Sequence, residues 1–183
     1  MAFDETFEAI LGAAKAGADW AWERIYKDLA GPVTGYLKAR GAPDAEDVAA
    51  ETFLQVARNI RNFEGSEASF RSWVFVIAHR RLLDARRAAA RRGDTVPLEP
   101  ELDSVGGDTE TEALERIIDP DLHRALEALT DDQRHVIALR VIAGLSVEET
   151  AQVVGKRTGA VKALQRRALA AMRRSLEAEG VSK

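Results

Sequence analysis

Cysteine is absent from the chain. That excludes disulfides, thiolate zinc sites and a cysteine nucleophile, and it removes the usual route for direct redox sensing. Long apolar runs are missing too: none approaches the ~18 residues of a membrane span. The acidic start MAFDETFEAI lacks the basic and apolar regions of a signal peptide. A cytoplasmic protein is therefore expected. Histidine is scarce, and His79, His123 and His135 have no metal-ligand spacing with one another. Glycine-rich phosphate loops are also missing, so neither a metal, another cofactor nor an enzyme activity is expected.

What the chain has is charge, and it is segregated. The formal net charge is only −4 over 183 residues. Between Arg71 and Gly93, however, seven arginines face Asp84 alone, and between Asp94 and Asp121 ten acidic residues face Arg116 alone. From Lys156 to Arg174 there are seven basic residues and no acidic one. Two basic modules separated by an acidic connector suit nucleic-acid binding with a masking or partner-directed segment. The length allows one medium domain or two small ones. Two are expected.

The stretch Ser146 to Leu176 reads as two helices and a tight turn. Ser146 and Glu149 make an S-x-x-E capping box, Gly155 supplies the left-handed turn residue, and Thr158 is placed to cap the second helix. Ala151 lets the helices approach, and Val161 and Leu164 lie between them. Lys162, Arg166, Arg167, Arg173 and Arg174 follow on the second helix, with Lys156 and Arg157 at its mouth. This is the pattern of a helix-turn-helix whose second helix meets phosphate. A helical hairpin with a solvated charged face is the alternative.

Upstream, Phe3, Phe7, Ile10, Leu11 and Ala14 predict a first amphipathic helix. Asp19 is placed to cap a second helix, which runs to about Arg40 with an interruption or kink at Pro32. Trp20 and Trp22 are expected as core anchors rather than as a base-stacking platform. Asp44 caps a third helix whose expected apolar stripe is Ala49, Phe53, Val56, Ala57 and Ile60. Beside it runs an acidic strip, Asp47, Glu51, Leu54, Gln55 and Arg58, suited either to solvent or to another protein's helices. After the loop NFEGSEAS, a fourth helix from Phe70 to about Arg92 begins aromatic and ends basic. That mixture fits a single-stranded DNA surface, though Phe70, Trp73, Val74 and Ile77 also form a plain core stripe. Residues 94–121 read as a flexible acidic linker with a short helix around Thr111 to Ile118. Leu122, Ala125, Leu126 and Leu129 then open the last module, and Thr130 with Gln133 makes a second capping box for a helix through Ala143 that stops at Gly144.

Three blocks, DAEDVAAETFLQVARNIRNF (Asp44 to Phe63), SFRSWVFVIAHRRLLDARR (Ser69 to Arg87) and the stretch from Leu129 to Leu169, stand in an order and separation that are together highly specific. On these blocks the chain resembles an extracytoplasmic-function (ECF) sigma factor of the sigma-70 family, over roughly residues 4 to 178. The resemblance implies an all-α fold of two small helical domains. A sigma region 2-like bundle would occupy residues 1–92, the linker 93–121, and a region 4-like helix-turn-helix domain 122–178.

It further implies that Asp47, Glu51, Leu54 and Arg58 dock on the clamp coiled coil of the largest catalytic subunit of core RNA polymerase. Phe63, Trp73, His79, Arg80 and Arg81 would open the −10 promoter element and take its single strand. Arg157, Lys162, Ala163, Arg166 and Arg167 would meet duplex DNA at the −35 element. An anti-sigma protein is an implied partner. Three positions depart from the family pattern: Ala50 stands in place of a glutamine, Val74 in place of a second tryptophan, and Leu164 where an arginine is frequent. Two rival readings remain. One is a helical ligand-responsive repressor, whose DNA reader is commonly N-terminal. The other is a polymerase adaptor, which would not need Arg157 to Arg167.

Overall fold

The computed structural model describes residues 7–92 and 125–180, and among these there is no strand. Helix α1 spans Phe7–Lys15, α2 Asp19–Ala39, α3 Ala45–Asn59 and α4 Glu67–Arg92, with a 3-10 turn at Ile60–Asn62 between the last two. A helical turn at 125–127 precedes α5, Asp131–Ile137, which continues as a wider π turn at Ala138–Ile142. Then come α6, Val147–Val154, and α7, Thr158–Gly180. The expected linker helix, Leu122 and Phe3 lie outside the described residues.

Helix α2 buries Ala21, Ile25, Leu29, Val33 and Leu37, a four-residue repeat that keeps one face inward. Trp20 falls about 100° off that face and is 57% exposed, so it is no core anchor. Trp22 is half-buried against the core. Asp19 is the first helical residue and not the cap, which is Ala18 without a side-chain bond. Pro32 does not interrupt the helix, which runs through it and forgoes one backbone hydrogen bond.

On α3 the Asp44 side chain accepts the Asp47 N–H at 2.8 Å, the expected cap. The buried stripe is Ala45, Val48, Ala49, Thr52 and Val56, rotated from expectation. Thr52 joins it because its hydroxyl donates to the Val48 carbonyl at 2.7 Å and so carries no unmet polar group inward. Phe53 is half-buried and leans on the Tyr26 ring at 4.9 Å, while Ala57 is exposed. Helix α4 buries Phe70, Val74, Phe75, Ile77, Ala78 and Leu82, filling the space between α2 and α3.

Both C-terminal capping boxes form: Thr130 with Gln133 on α5, and Ser146 with Glu149 on α6. Gly155 closes α6 in the left-handed region at φ 65°, where a side chain would be strained. Thr158 is inside α7, not its cap; the first bond there runs from Val161 N–H to the Arg157 carbonyl. Val136, Ala151 and Val161 seal α5, α6 and α7 together, with Leu164 packed alongside. Leu126, Leu129, Ile137 and Ala168 form a second small cluster.

The two units are docked on each other. Ala138, Leu139, Ala143, Leu145 and Val153 belong to the same buried cluster as α1 to α4. Helix α6 lies on α4, and the π turn lies on α2. There Gly35 permits the approach, since a Cβ at that position would sit 2.9 Å from Ile142 Cγ2. Because the Ser146 cap holds the first turn of α6 against this shared core, Ser146→Ala should cost about 1 kcal/mol. That corresponds to a thermal midpoint lower by about 2–4 °C, measured by circular dichroism.

Candidate nucleic-acid interface

The exposed face of α7 is basic because its other face is fully used for packing. Val161 and Ala168, seven residues apart, are buried against α5 and α6. This turns Lys162, Arg166 and Arg167 outward with Arg157 just before them, all four exposed, while Ala163 is half-buried. Lys156 instead pairs with Asp132 of α5 at 3.0 Å and Arg173 with Glu177 at 3.5 Å. Arg140 braces the scaffold behind, reaching Gln165 Oε1 at 3.2 Å and the Leu145 carbonyl. The side chains expected at duplex DNA therefore share one solvent-facing edge of a helix whose axis is fixed.

On the first unit, Asp47, Glu51, Leu54 and Arg58 follow one another along α3 at i, i+4, i+7 and i+11, and all are exposed. Leu54 is 56% exposed between charged neighbours, an apolar residue turned to solvent from an otherwise well-packed helix. Ala50 is exposed beside them.

The third group is divided. A cavity of about 590 Å³ opens between the end of α3 and the first half of α4, lined by Phe63, Trp73, Ile77, Arg80 and Arg81 together with Gln55, Asn59, Asn62, Glu64 and Asp84. Phe63 is buried, its ring 5.1 Å from that of Trp73 and 5.2 Å from that of Phe70. Arg81 donates to Gln55 Oε1 at 2.9 Å. Aromatic edges, amide groups and arginines around one hollow can stack on a base and hydrogen-bond its edge. Helical spacing alone did not single out the amide groups of Gln55, Asn59 and Asn62 for this role. Their signal was the concentration of side-chain amides leading into the NFEGSEAS loop, whose first residue is Asn62.

His79 is not in this cavity. Its ring is turned towards the other unit, with Nδ1 3.0 Å from the Tyr36 hydroxyl. The same hydroxyl is 2.9 Å from Nε2 of His135, and the two imidazoles stack with centroids 4.3 Å apart. Beside them Arg40, 2% exposed, donates to both Asp131 carboxylate oxygens at 2.8 and 2.9 Å and to the Asp131 carbonyl at 3.0 Å. Arg86 of α4 donates to the Arg40 carbonyl.

Burial, then the Arg40 cation, pushes His135 down to about 3 and lowers His79 as well. Burial raises Tyr36 above the usual phenol range, so it stays a neutral hydroxyl. The hydrogen bond from Arg40 lowers Asp131 and keeps it a carboxylate. No cluster of three or more His, Cys, Asp or Glu suited to a metal occurs among the described residues, and no helix among them is long and apolar enough to cross a membrane.

An all-helical pair of units, one of them a helix-turn-helix with its basic edge exposed, has the make-up of a two-part DNA-binding protein. Residues 22–92 match Sigma-70 region 2, and residues 120–172 match Sigma-70, region 4. The ECF RNA polymerase sigma factor BldN of Streptomyces coelicolor is 34% identical over 166 residues, covering 89% of this chain and 63% of that protein. The ECF RNA polymerase sigma factor SigD of Mycobacterium tuberculosis is 32% identical over 183 residues, covering 96% and 86%. This chain belongs to the ECF family of RNA polymerase sigma factors. The fold is also that of CnrH in complex with the cytosolic domain of CnrY, with a TM-score of 0.67 at 22% identity over 93% of this chain and 96% of that one. RpoE of Bartonella quintana, in complex with the anti-sigma factor NepR, gives 0.58 at 20% identity over 96% of each chain.

The histidine pair is expected to make docking sensitive to pH. Around it stand Tyr36 of α2 and Arg40 just past its end, Arg86 of α4, and Asp131 and Arg134 of α5. Both histidines are held neutral below their ordinary value near 6.5. Their contribution is therefore complete above about pH 6.5 and is lost as pH falls towards the depressed values, by up to ~1.4 kcal/mol per pH unit for each. The thermal midpoint should drop by several degrees from pH 7.5 to 5.5, and the drop should shrink in His135→Asn. Equal drops in both proteins would remove His135 from this role.

Proposed function

We propose that this sigma factor mounts on core RNA polymerase through Asp47, Glu51, Leu54 and Arg58, and that polymerase supplies all the chemistry while this chain supplies promoter address and strand opening. The clamp coiled coil of the largest catalytic subunit is the docking partner, meeting the exposed Leu54 with its apolar seam and the flanking charges with its rim. The cavity of Phe63, Trp73, Arg80 and Arg81 takes single-stranded DNA of the −10 element. Lys162, Ala163 and Arg166 face the −35 element in the major groove, while Arg157 and Arg167 hold phosphates. The observation that carries this reading is that the polymerase strip and the α7 edge both face solvent, on the two units matched to regions 2 and 4.

The site of action is the cytoplasm, where polymerase and DNA meet. An anti-sigma protein is a further partner; proteins of this fold have been solved with the cytosolic domain of CnrY and, for the sigma factor RpoE, with the anti-sigma factor NepR. The proposed domain limits are 1–92, 93–121 and 122–178; the family models match 22–92 and 120–172.

Transcription in vitro with core polymerase tests the reading: defined start sites are expected with the factor and none without it. Glu51→Lys should abolish most of that initiation by reversing a charge at the clamp, with helical content unchanged because the residue lies off the buried stripe. Unchanged initiation would remove the clamp assignment. Arg166→Ala should cost about 1–3 kcal/mol at one −35 position and relax the base preference there, whereas Arg167→Ala should weaken binding across all sequences and reduce its salt dependence. Uniform loss with Arg166→Ala, read in a mutated-promoter series, would contradict its base contact.

A further inference from the structure

Two amide side chains in the cavity beside Trp73 are each held in one orientation. An amide has an acceptor at one end and two donors at the other, and it turns over freely unless its neighbours accept only one setting. At Gln55 the neighbour is Arg81, whose Nη2 reaches Oε1 at 2.9 Å. A guanidinium has no acceptor, so the carbonyl end must face it and the NH2 end is left over. At Asn59, one turn further along α3, Nδ2 donates to the Gln55 backbone carbonyl at 2.8 Å. A carbonyl has no donor, so here the NH2 end is engaged and Oδ1 is left over. Neither remaining end has a partner among the described residues, and both residues are walls of the cavity. The hollow therefore presents a fixed donor and, one helical turn away, a fixed acceptor.

Groups held before a base arrives need little further ordering, and each penalises a base that offers it the wrong partner. Nucleobase edges meet such a pair in one of two senses. Adenine and cytosine set an exocyclic amino donor beside a ring-nitrogen acceptor, whereas guanine and thymine set an exocyclic oxygen beside a ring N–H. A strand entering along one path meets the pair in one sense, so these two groups sort bases by the exocyclic group and not by ring size. Stacking on the Trp73 ring is indifferent to the base. Arg80, exposed at the rim, is left for the phosphate.

We propose that Gln55 and Asn59 decide which class of base, amino or keto, the cavity accepts at one position of the −10 strand, and that Arg81 is a positioning residue acting through the Gln55 amide. This rests on the cavity being the single-strand site, and adds to it a reading of base edges. Gln55→Glu keeps the length of the side chain and its contact with Arg81 but turns the free donor into an acceptor. Two acceptors then face the base, and guanine alone answers with two adjacent donors, N1–H and the N2 amino group.

Holoenzyme assembled from the full-length chain and core polymerase, transcribing a promoter library randomised across the −10 element, reads the preference at each position. The parent should favour adenine with cytosine, or guanine with thymine, by about tenfold at one position. Whichever class it favours, Gln55→Glu should raise the guanine-to-thymine ratio there by about tenfold. Arg81→Met keeps the apolar stem and lets the Gln55 amide turn over; it should flatten the preference at that position alone, and Arg81→Lys, which returns a donor to Oε1, should restore it. A parent that never divides the bases in this way, a guanine-to-thymine ratio unmoved in Gln55→Glu, or a preference that Arg81→Met leaves intact would each overturn the proposal, while defined start sites would keep the sigma-factor reading. A parent that initiates nowhere would overturn both.

Discussion

A buried guanidinium has to be answered, and in this chain the answer comes from the other end of the sequence. Arg40 sits at the C-terminal end of α2 with almost no solvent contact, and the carboxylate that meets it is Asp131, at the start of α5. Losing one member of such a pair is far costlier than never having built it, because the remaining charge is stranded in a poor dielectric. The neighbouring contacts follow from this registration. With Asp131 fixed at Arg40, the next turn of α5 brings His135 over Tyr36 and against His79, and the π turn then brings Ile142 onto Gly35. The widened turn keeps Ala138 and Leu139 pointed into the shared core while Val141 is left outside.

Docking of this kind leaves the proposed contact surfaces open. The basic edge of α7 and the α3 strip face solvent, and the cavity beside Trp73 has its own mouth. The apolar faces of α6 and α4, in contrast, are covered by one another. Docking thus fixes the distance between these surfaces without hiding them.

Much of the local structure was legible from the residues. The two capping boxes, the Gly155 turn, the Asp44 cap and the burial of Phe70, Val74 and Ile77 all depend on near neighbours in sequence, and each formed as its spacing implied. The failures have a common cause. Trp20, Ala57 and Thr158 lay within a residue or two of the correct face or cap, and a shift of one position rotates a helical side chain by about 100°. The docking was not legible, because Tyr36 and His135 are 99 positions apart and neither carries a pattern that names the other. His79 illustrates the consequence: placed by resemblance among the DNA-facing residues, it is turned in the free chain towards a partner no local signal could disclose. Gln55 and Asn59 entered the cavity for a similar reason, since helical spacing reports a face but not the hollow that a second helix makes beside it.

The claim on which this account turns is that the two units of the free factor are held together. Small-angle X-ray scattering of the full-length protein at neutral pH tests it directly. A radius of gyration near the ~16 Å of a single folded body of this length is the result the account predicts; a value well above ~22 Å, with the pair-distance profile of two separate bodies, would contradict it.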